Sequence, residues 1–129
     1  MWRASGALLI LALAGCGSGA PGFMEGKWQP DEATYLASLA EMSQDEQAKE
    51  LEISAKFRGA SLEIDESKIL TRWGTFGYQN TYRVVKRTDS EFILDVNYLR
   101  NGTFRWVVRK TAKGIEIRRD EGMPVPFKR

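Results

Sequence analysis

Histidine is absent from all 129 residues, and cysteine occurs once. The first absence removes the side chain that most often acts as general base or metal ligand near neutral pH. A single cysteine excludes an intrachain disulfide, and without histidine no zinc site of the Cys/His type or nucleophile–histidine pair can be assembled. Proline is scarce, and two of its four occurrences, Pro124 and Pro126, stand near the C-terminus, where they argue against a central strand. Beyond the first fifteen residues no apolar run is long enough to cross a bilayer as a helix. The carboxylates are scattered, with no compact ligand motif and no acid–base pair among them. The expectation is therefore a protein that is not an enzyme, with no catalytic residues, no metal and no cofactor.

What is present begins at the N-terminus. Arg3 supplies one positive charge, and Ala7 to Ala14 is an uncharged apolar run too short to span a membrane, the pattern of an export signal. The run closes on Leu13-Ala14-Gly15-Cys16, which resembles the lipobox of bacterial lipoproteins: an aliphatic residue, two small residues, then cysteine. The resemblance implies that Leu13, Ala14 and Gly15 are read by the lipoprotein signal peptidase, that residues 1–15 are removed, and that Cys16 carries a diacylglyceryl thioether and an N-acyl group. Each buried acyl CH2 contributes about 0.8 kcal/mol, so several chains on one residue give an effectively permanent attachment. Gly17 stands where lipoproteins retained in an inner membrane often carry aspartate, which implies, in a cell with two membranes, the outer membrane facing the periplasm. Export also separates the chain from nucleic acid.

Three segments follow: residues 1–15 as signal peptide, 16–22 as lipidated cysteine and tether, and 23–129 as a single domain. The small residues and Pro21 of the tether give a reach of about 5 to 6 Å times the square root of the residue number, which keeps the domain close to the membrane. Removing the signal leaves 114 residues, enough for one core.

Within the domain, Gly26 and Trp28 lie in a first strand. Asp31 is the expected N-cap of a short helix with Leu36, Leu39 and Ala40 on one face. Ser43 and Glu46 have capping-box spacing for a second helix, which runs to Phe57 or Arg58 and stops at Gly59, a residue suited to left-handed backbone. Ala48, Leu51 and Ala55 form one stripe of that helix, with Ile53 and Phe57 beside it. From Ser61 the hydrophobic period drops to two. Leu62/Ile64, Lys68 to Trp73, Tyr82/Val84, Phe92 to Tyr98, Phe104 to Val108 and Ile115/Ile117 predict an antiparallel meander of about six strands. Gly74 and Gly77 predict a bend or bulge near Phe76, and Asn101-Gly102 a tight type I′ hairpin. The proline-containing tail from Met123 can only be an edge strand or a closing flap. The fold class is α+β, mainly β.

The order of a Gly-x-Trp strand, a helical pair, an antiparallel meander and a terminal basic residue resembles the fatty-acid-binding branch of the calycin superfamily, and lipocalin-like lipoproteins of that layout. The resemblance implies closure into a small barrel, with Arg129 stacked on Trp28 at one barrel end. The Arg-x-Tyr carboxylate clamp of that branch is missing here.

Charge is uneven: residues 23–59 hold four Lys/Arg against eight Asp/Glu, whereas residues 60–129 hold fourteen against nine. Arg105 and Arg109 alternate with Phe104, Trp106 and Val108, so they fall on a polar face that reads first as a solvated surface. Two functions remain. The first is a lipid-anchored envelope protein acting as a non-catalytic interaction or assembly module, with a protein partner in the envelope. The alternative is a lipocalin-like carrier of an apolar or amphipathic small molecule. A closed cavity of roughly 300 Å3 or more favours the carrier, and a core filled by Trp73, Phe92, Leu94, Tyr98, Phe104 and Trp106 favours the module.

Overall fold

The computed structural model describes residues 22–120 and 122–129; Leu13, Ala14, Gly15 and Cys16 lie outside the described residues. The described chain forms β1 (Gly26–Pro30), α1 (Glu32–Ser38), α2 (Gln44–Arg58), β2 (Ser61–Ile64), β3 (Lys68–Trp73), β4 (Phe76–Arg87), β5 (Glu91–Asn97), β6 (Thr103–Lys110), β7 (Gly114–Arg118) and β8 (Val125–Lys128). Each strand pairs antiparallel with the next, and β8 pairs back onto β1, so eight strands close into a barrel. The expected six-strand meander is β2 to β7, and the first and last segments complete the ring. This closed antiparallel barrel is compatible with a calycin-like fold.

Alternation along the strands sets which side chains enter the barrel. Leu62, Ile64, Ile69, Phe92, Leu94, Val96, Trp106, Val108, Ile115, Ile117, Val125 and Phe127 are all buried. They join Trp28, Met24, Tyr35, Leu39 and Phe57 in one cluster. A barrel of about eight strands has an interior that side chains can just fill, and here large ones occupy it.

The C-terminal tail is neither the edge strand nor the flap that its prolines suggest, but an inner strand of the ring, paired with β1 on one side and β7 on the other. Pro126 is tolerated because its carbonyl faces the Asp31 N–H (2.9 Å), so the N–H it lacks points to the same side, where β1 has already ended. Two turn assignments from the sequence are corrected. Gly74, at φ +61°, sits in a two-residue turn joining Trp73 to Phe76, and the irregularity in β4 falls instead between Val84 and Lys86. Asn101-Gly102 does not form a two-residue turn: Asn97 pairs with Thr103 around a five-residue loop whose positive φ values are at Leu99 and Gly102.

The helices are capped as their sequence indicates, by Asp31 for α1 and by the Ser43–Glu46 capping box for α2. Their buried faces differ from the expected ones. In α1, Tyr35 and Leu39 are buried and Leu36 is 46% exposed, because α1 lies against β8 with the Tyr35 side inward. In α2 the inward stripe is partly polar, with Ser54 and Phe57 buried and Ala48 and Ala55 exposed. The polar positions are used. Tyr35 Oη donates to the Glu50 carbonyl (3.2 Å) and accepts from Ser54 Oγ (2.8 Å), while Arg58 donates to Ser54 Oγ (2.8 Å) and pairs with Glu32 (2.7 Å). Gly59 ends α2 at φ −88°, an ordinary right-handed value rather than a left-handed one.

Candidate functional site

The barrel has two ends built from similar residues. At the floor, Phe23 stacks on Phe92 with ring centroids 4.6 Å apart, and Met24 is fully buried. Trp28 Nε1 donates to the Met24 carbonyl at 2.9 Å. Arg129 Cζ lies 4.1 Å from the Trp28 ring centroid, and Arg129 Nη1 donates to the Glu25 carbonyl at 2.9 Å. The structure thus brings Trp28 and Arg129 together at a barrel end. Gly26, at φ +129°, makes room for them, since a Cβ there would collide with the Arg129 guanidinium. Tyr82 Oη donates to the Asp65 carbonyl (2.6 Å), and burial pushes its phenol pKa up. The Asp65 carboxyl is held below its ordinary range by the N–H of Ser67, with the N–H of Lys68 assisting.

At the mouth, the β3–β4 turn, the β5–β6 loop and the β7–β8 connection surround α2. Phe57 of α2 forms the plug, edge-on to Trp106 (5.5 Å) and to Phe127 (5.2 Å), and Arg119 Cζ lies 4.1 Å from its ring centroid. Beside the plug is a half-open hollow of about 450 Å3, lined by Ile53, Tyr98, Asn101, Phe104, Trp106, Arg119 and Asp120. Trp106 Nε1 donates to Tyr98 Oη at 2.9 Å, and burial pushes the Tyr98 phenol up to about 12 despite that bond. Trp73, Tyr98 and Phe104, expected in the core, are half-buried, the last two lining this hollow, unlike Phe92, Leu94 and Trp106, which are buried.

Beside the hollow the aromatic surface continues outward. Trp73 packs on Phe76 (6.0 Å) and Tyr78 (5.4 Å), yet Phe76 remains 65% exposed and Leu99, on the neighbouring loop, 79% exposed. These residues project because β4 has twelve residues and β5 seven, and their pairing begins only at Thr81 with Asn97. Phe76 to Asn80 therefore overhang β5. A period-two reading cannot reveal the overhang, since Phe76, Tyr78 and Tyr82 alternate identically whether or not a neighbour covers them. The unequal spacing of turn residues on the two sides of β4 was the available signal.

On the outer face of β4, β5 and β6, Arg83, Arg105 and Arg109 are paired rather than free. Arg105 donates to Asp95 at 3.0 and 3.1 Å and Arg83 at 3.3 Å, and Arg109 pairs with Glu91 and Glu116. The Arg105 hydrogen bonds, with help from Arg83, hold the Asp95 carboxyl below the usual range.

Among the described residues no group of three His, Cys, Asp or Glu is placed to hold a metal ion, and no helix is long and apolar enough to cross a membrane. Compared with known proteins, the chain matches no family model, no curated protein and no solved structure.

Proposed function

We propose that this is a lipid-anchored cell-envelope protein whose lipocalin-like barrel is a non-catalytic interaction module, held at the membrane through Cys16 and meeting its partner at the barrel mouth. The observation that carries the reading is the contrast between a barrel interior occupied by Trp28, Phe92, Leu94, Trp106 and Phe127 and a mouth whose aromatic residues stay exposed. Exposed aromatic side chains beside a cation are the residue types that anchor protein interfaces. Geometry adds an orientation. The six residue-to-residue steps from Cys16 to Gly22 reach at most about 20 Å. The twelve residues of β4, at about 3.3 Å each and tilted by about 40°, put roughly 28 Å between floor and mouth. A chain tethered beside Phe23 at the floor cannot turn its mouth onto the membrane that holds the anchor. The mouth faces the compartment. In a cell with two membranes, the lipobox resemblance makes that compartment the periplasm and the anchoring membrane the outer one.

The anchor is tested by labelling cells with a fatty-acid analogue. The native chain should take the label and Cys16→Ser should not; a Cys16→Ser chain that stays with membranes after a high-salt wash contradicts the anchor. One observation favours a second reading, a carrier: the hollow at the mouth combines an aromatic lining with the charged side chains Arg119 and Asp120 and suits an amphipathic molecule with a polar end. Mass spectrometry of a denatured extract of the full chain, purified in a chemically defined detergent, separates the two. The interaction module predicts no stoichiometric small molecule. A stoichiometric apolar ligand establishes the carrier instead.

A further inference from the structure

The overhang of β4 leaves part of its edge without a neighbouring strand, as the start of β6 is left on its β7 side, and of the two the β4 edge carries the exposed aromatic residues. In the β3–β4 ladder Trp73 faces Phe76, Thr71 faces Tyr78 and Ile69 faces Asn80, and the Tyr82 N–H donates to Ser67 O at 3.1 Å. In an antiparallel ladder alternate residues turn their N–H and C=O to opposite sides. Phe76, Tyr78, Asn80 and Tyr82 therefore point their backbone groups at β3, and Gly77 and Gln79 point theirs away from it. On that other side β5 begins its pairing only at Thr81, and among the described residues no backbone group of Gly77 or Gln79 is paired there. Two N–H and two C=O groups stand in line at an exposed edge, the arrangement that accepts an added strand.

The side chains beside this edge define what fits. An added strand would present alternate residues to the two faces of the sheet. On the inner face it would lie over the hollow and meet Phe76, Tyr78, Tyr98 and Phe104, which calls for apolar residues. On the outer face it would meet Arg72. Arg72 is exposed and pairs opposite Gly77, and its Cγ lies 3.1 Å from where a Gly77 Cβ would stand. The Arg72 side chain thus leans across the glycine toward the free edge. A Cβ on Gly77 would also come within 2.8 Å of the Thr71 carbonyl, so glycine keeps both the ladder and the path of Arg72 open. Lys56 sits over the Trp73 ring at 5.3 Å and Arg119 over Phe57, and among the described residues neither these nor Arg72 forms an ion pair. A second copy would bring these cations against themselves.

We propose that the free edge of β4 at Phe76–Asn80 binds an extended segment of another polypeptide by strand addition, one with apolar residues toward the mouth and acidic residues toward Arg72. This rests on the interaction-module reading and gives it a mode and a class of partner.

The test uses the full chain in detergent and synthetic peptides of about ten residues, a length that covers the overhang with margin. One alternates Val and Glu, one alternates Val and Lys, and a third is the Val/Glu peptide N-methylated at every second residue. The Val/Glu peptide should bind and slow hydrogen exchange at the Gly77 and Gln79 amides. Binding should weaken by about tenfold or more, equivalent to about 1.4 kcal/mol, on N-methylation, on Gln79→Pro and on exchange of Glu for Lys. Gln79→Pro removes an N–H that no strand uses, and the N-methylated peptide asks the same question of the unaltered protein. Arg72→Glu should reverse the preference toward the Val/Lys peptide. Equal binding of the plain and N-methylated peptides overturns the proposal, as does absence of binding at millimolar peptide. Phe76-dependent binding to anionic vesicles without peptide binding overturns it in favour of a membrane. Concentration-dependent dimerisation that protects Gln79 overturns it in favour of self-pairing. A stoichiometric small molecule in the extract would instead remove the parent reading, so the two failures are distinguishable.

Discussion

Both ends of the barrel place an arginine 4.1 Å from an aromatic ring, Arg129 on Trp28 at the floor and Arg119 on Phe57 at the mouth. Their surroundings differ. At the floor the polar groups of the pair find main-chain acceptors: Trp28 and Arg129 both donate to backbone carbonyls, and Trp28 is 2% exposed. At the mouth the plug is made, yet Phe76 and Tyr78 beyond it stay exposed. The difference teaches that the same residue types serve closure where backbone accepts their polar atoms, and are left exposed where the neighbouring strand stops short.

The largest effect expected from this contrast is at the floor. Trp28→Ala should cost about 3 to 5 kcal/mol, as for other large-to-small core changes, and lower the melting temperature by many degrees. Gly114→Ala comes next, because its Cβ would collide with the Phe127 carbonyl and press on Trp28 Cζ3 at 3.1 Å; about 1 to 3 kcal/mol is expected in chemical denaturation. Arg129→Met, which leaves Trp28 in place, should cost about 0.5 to 2 kcal/mol. Phe76→Ser at the mouth should change stability by less than about 0.5 kcal/mol, since an exposed ring contributes little to folding. A floor variant with no effect, or a Phe76 variant that unfolds the chain, would erase the distinction between the two ends.

Much of the barrel is legible in the residues. Phe92, Leu94 and Val96 opposite Trp106 and Val108 announce an inward face at period two, and Ser43 with Glu46 announces a helix start. Other features are set by tertiary context. Leu36 looks as apolar as Leu39, and only the docking of α1 on β8 decides that Tyr35 enters instead. Asn101-Gly102 has the right residues for a two-residue turn, but the loop takes positive φ at Leu99 and Gly102. The mouth is the least legible part, because exposure of Phe76 and Tyr78 follows from the unequal lengths of β4 and β5 rather than from either strand's own pattern.

A smaller effect should appear with pH. Asp31, through Thr34, Asp65, through Ser67, and Asp95, through Arg105, all have folded-state pKa values below their ordinary ones. The unfolded chain therefore binds more protons in acid. The stability these groups add is fully present above about pH 4 and is lost as pH falls through their lowered values. Asp95→Asn should flatten that acid limb of the unfolding profile; an unchanged slope would mean the Arg83–Asp95–Arg105 cluster does not hold in solution. At the alkaline end, a tyrosinate absorbance titration should find Tyr98 still protonated at pH 10, where an ordinary phenol is about half ionised.

The central claim is that the mouth, not the rest of the barrel surface, meets the partner. A photo-crosslinking residue placed at Phe76 in living cells, compared with one at Lys27, an 84% exposed side chain near the floor, tests it most directly. The account predicts a protein-sized adduct of one defined mass from position 76, none from position 27, and loss of the adduct on adding Gln79→Pro. Adducts equal at both positions, or none from position 76, would contradict it.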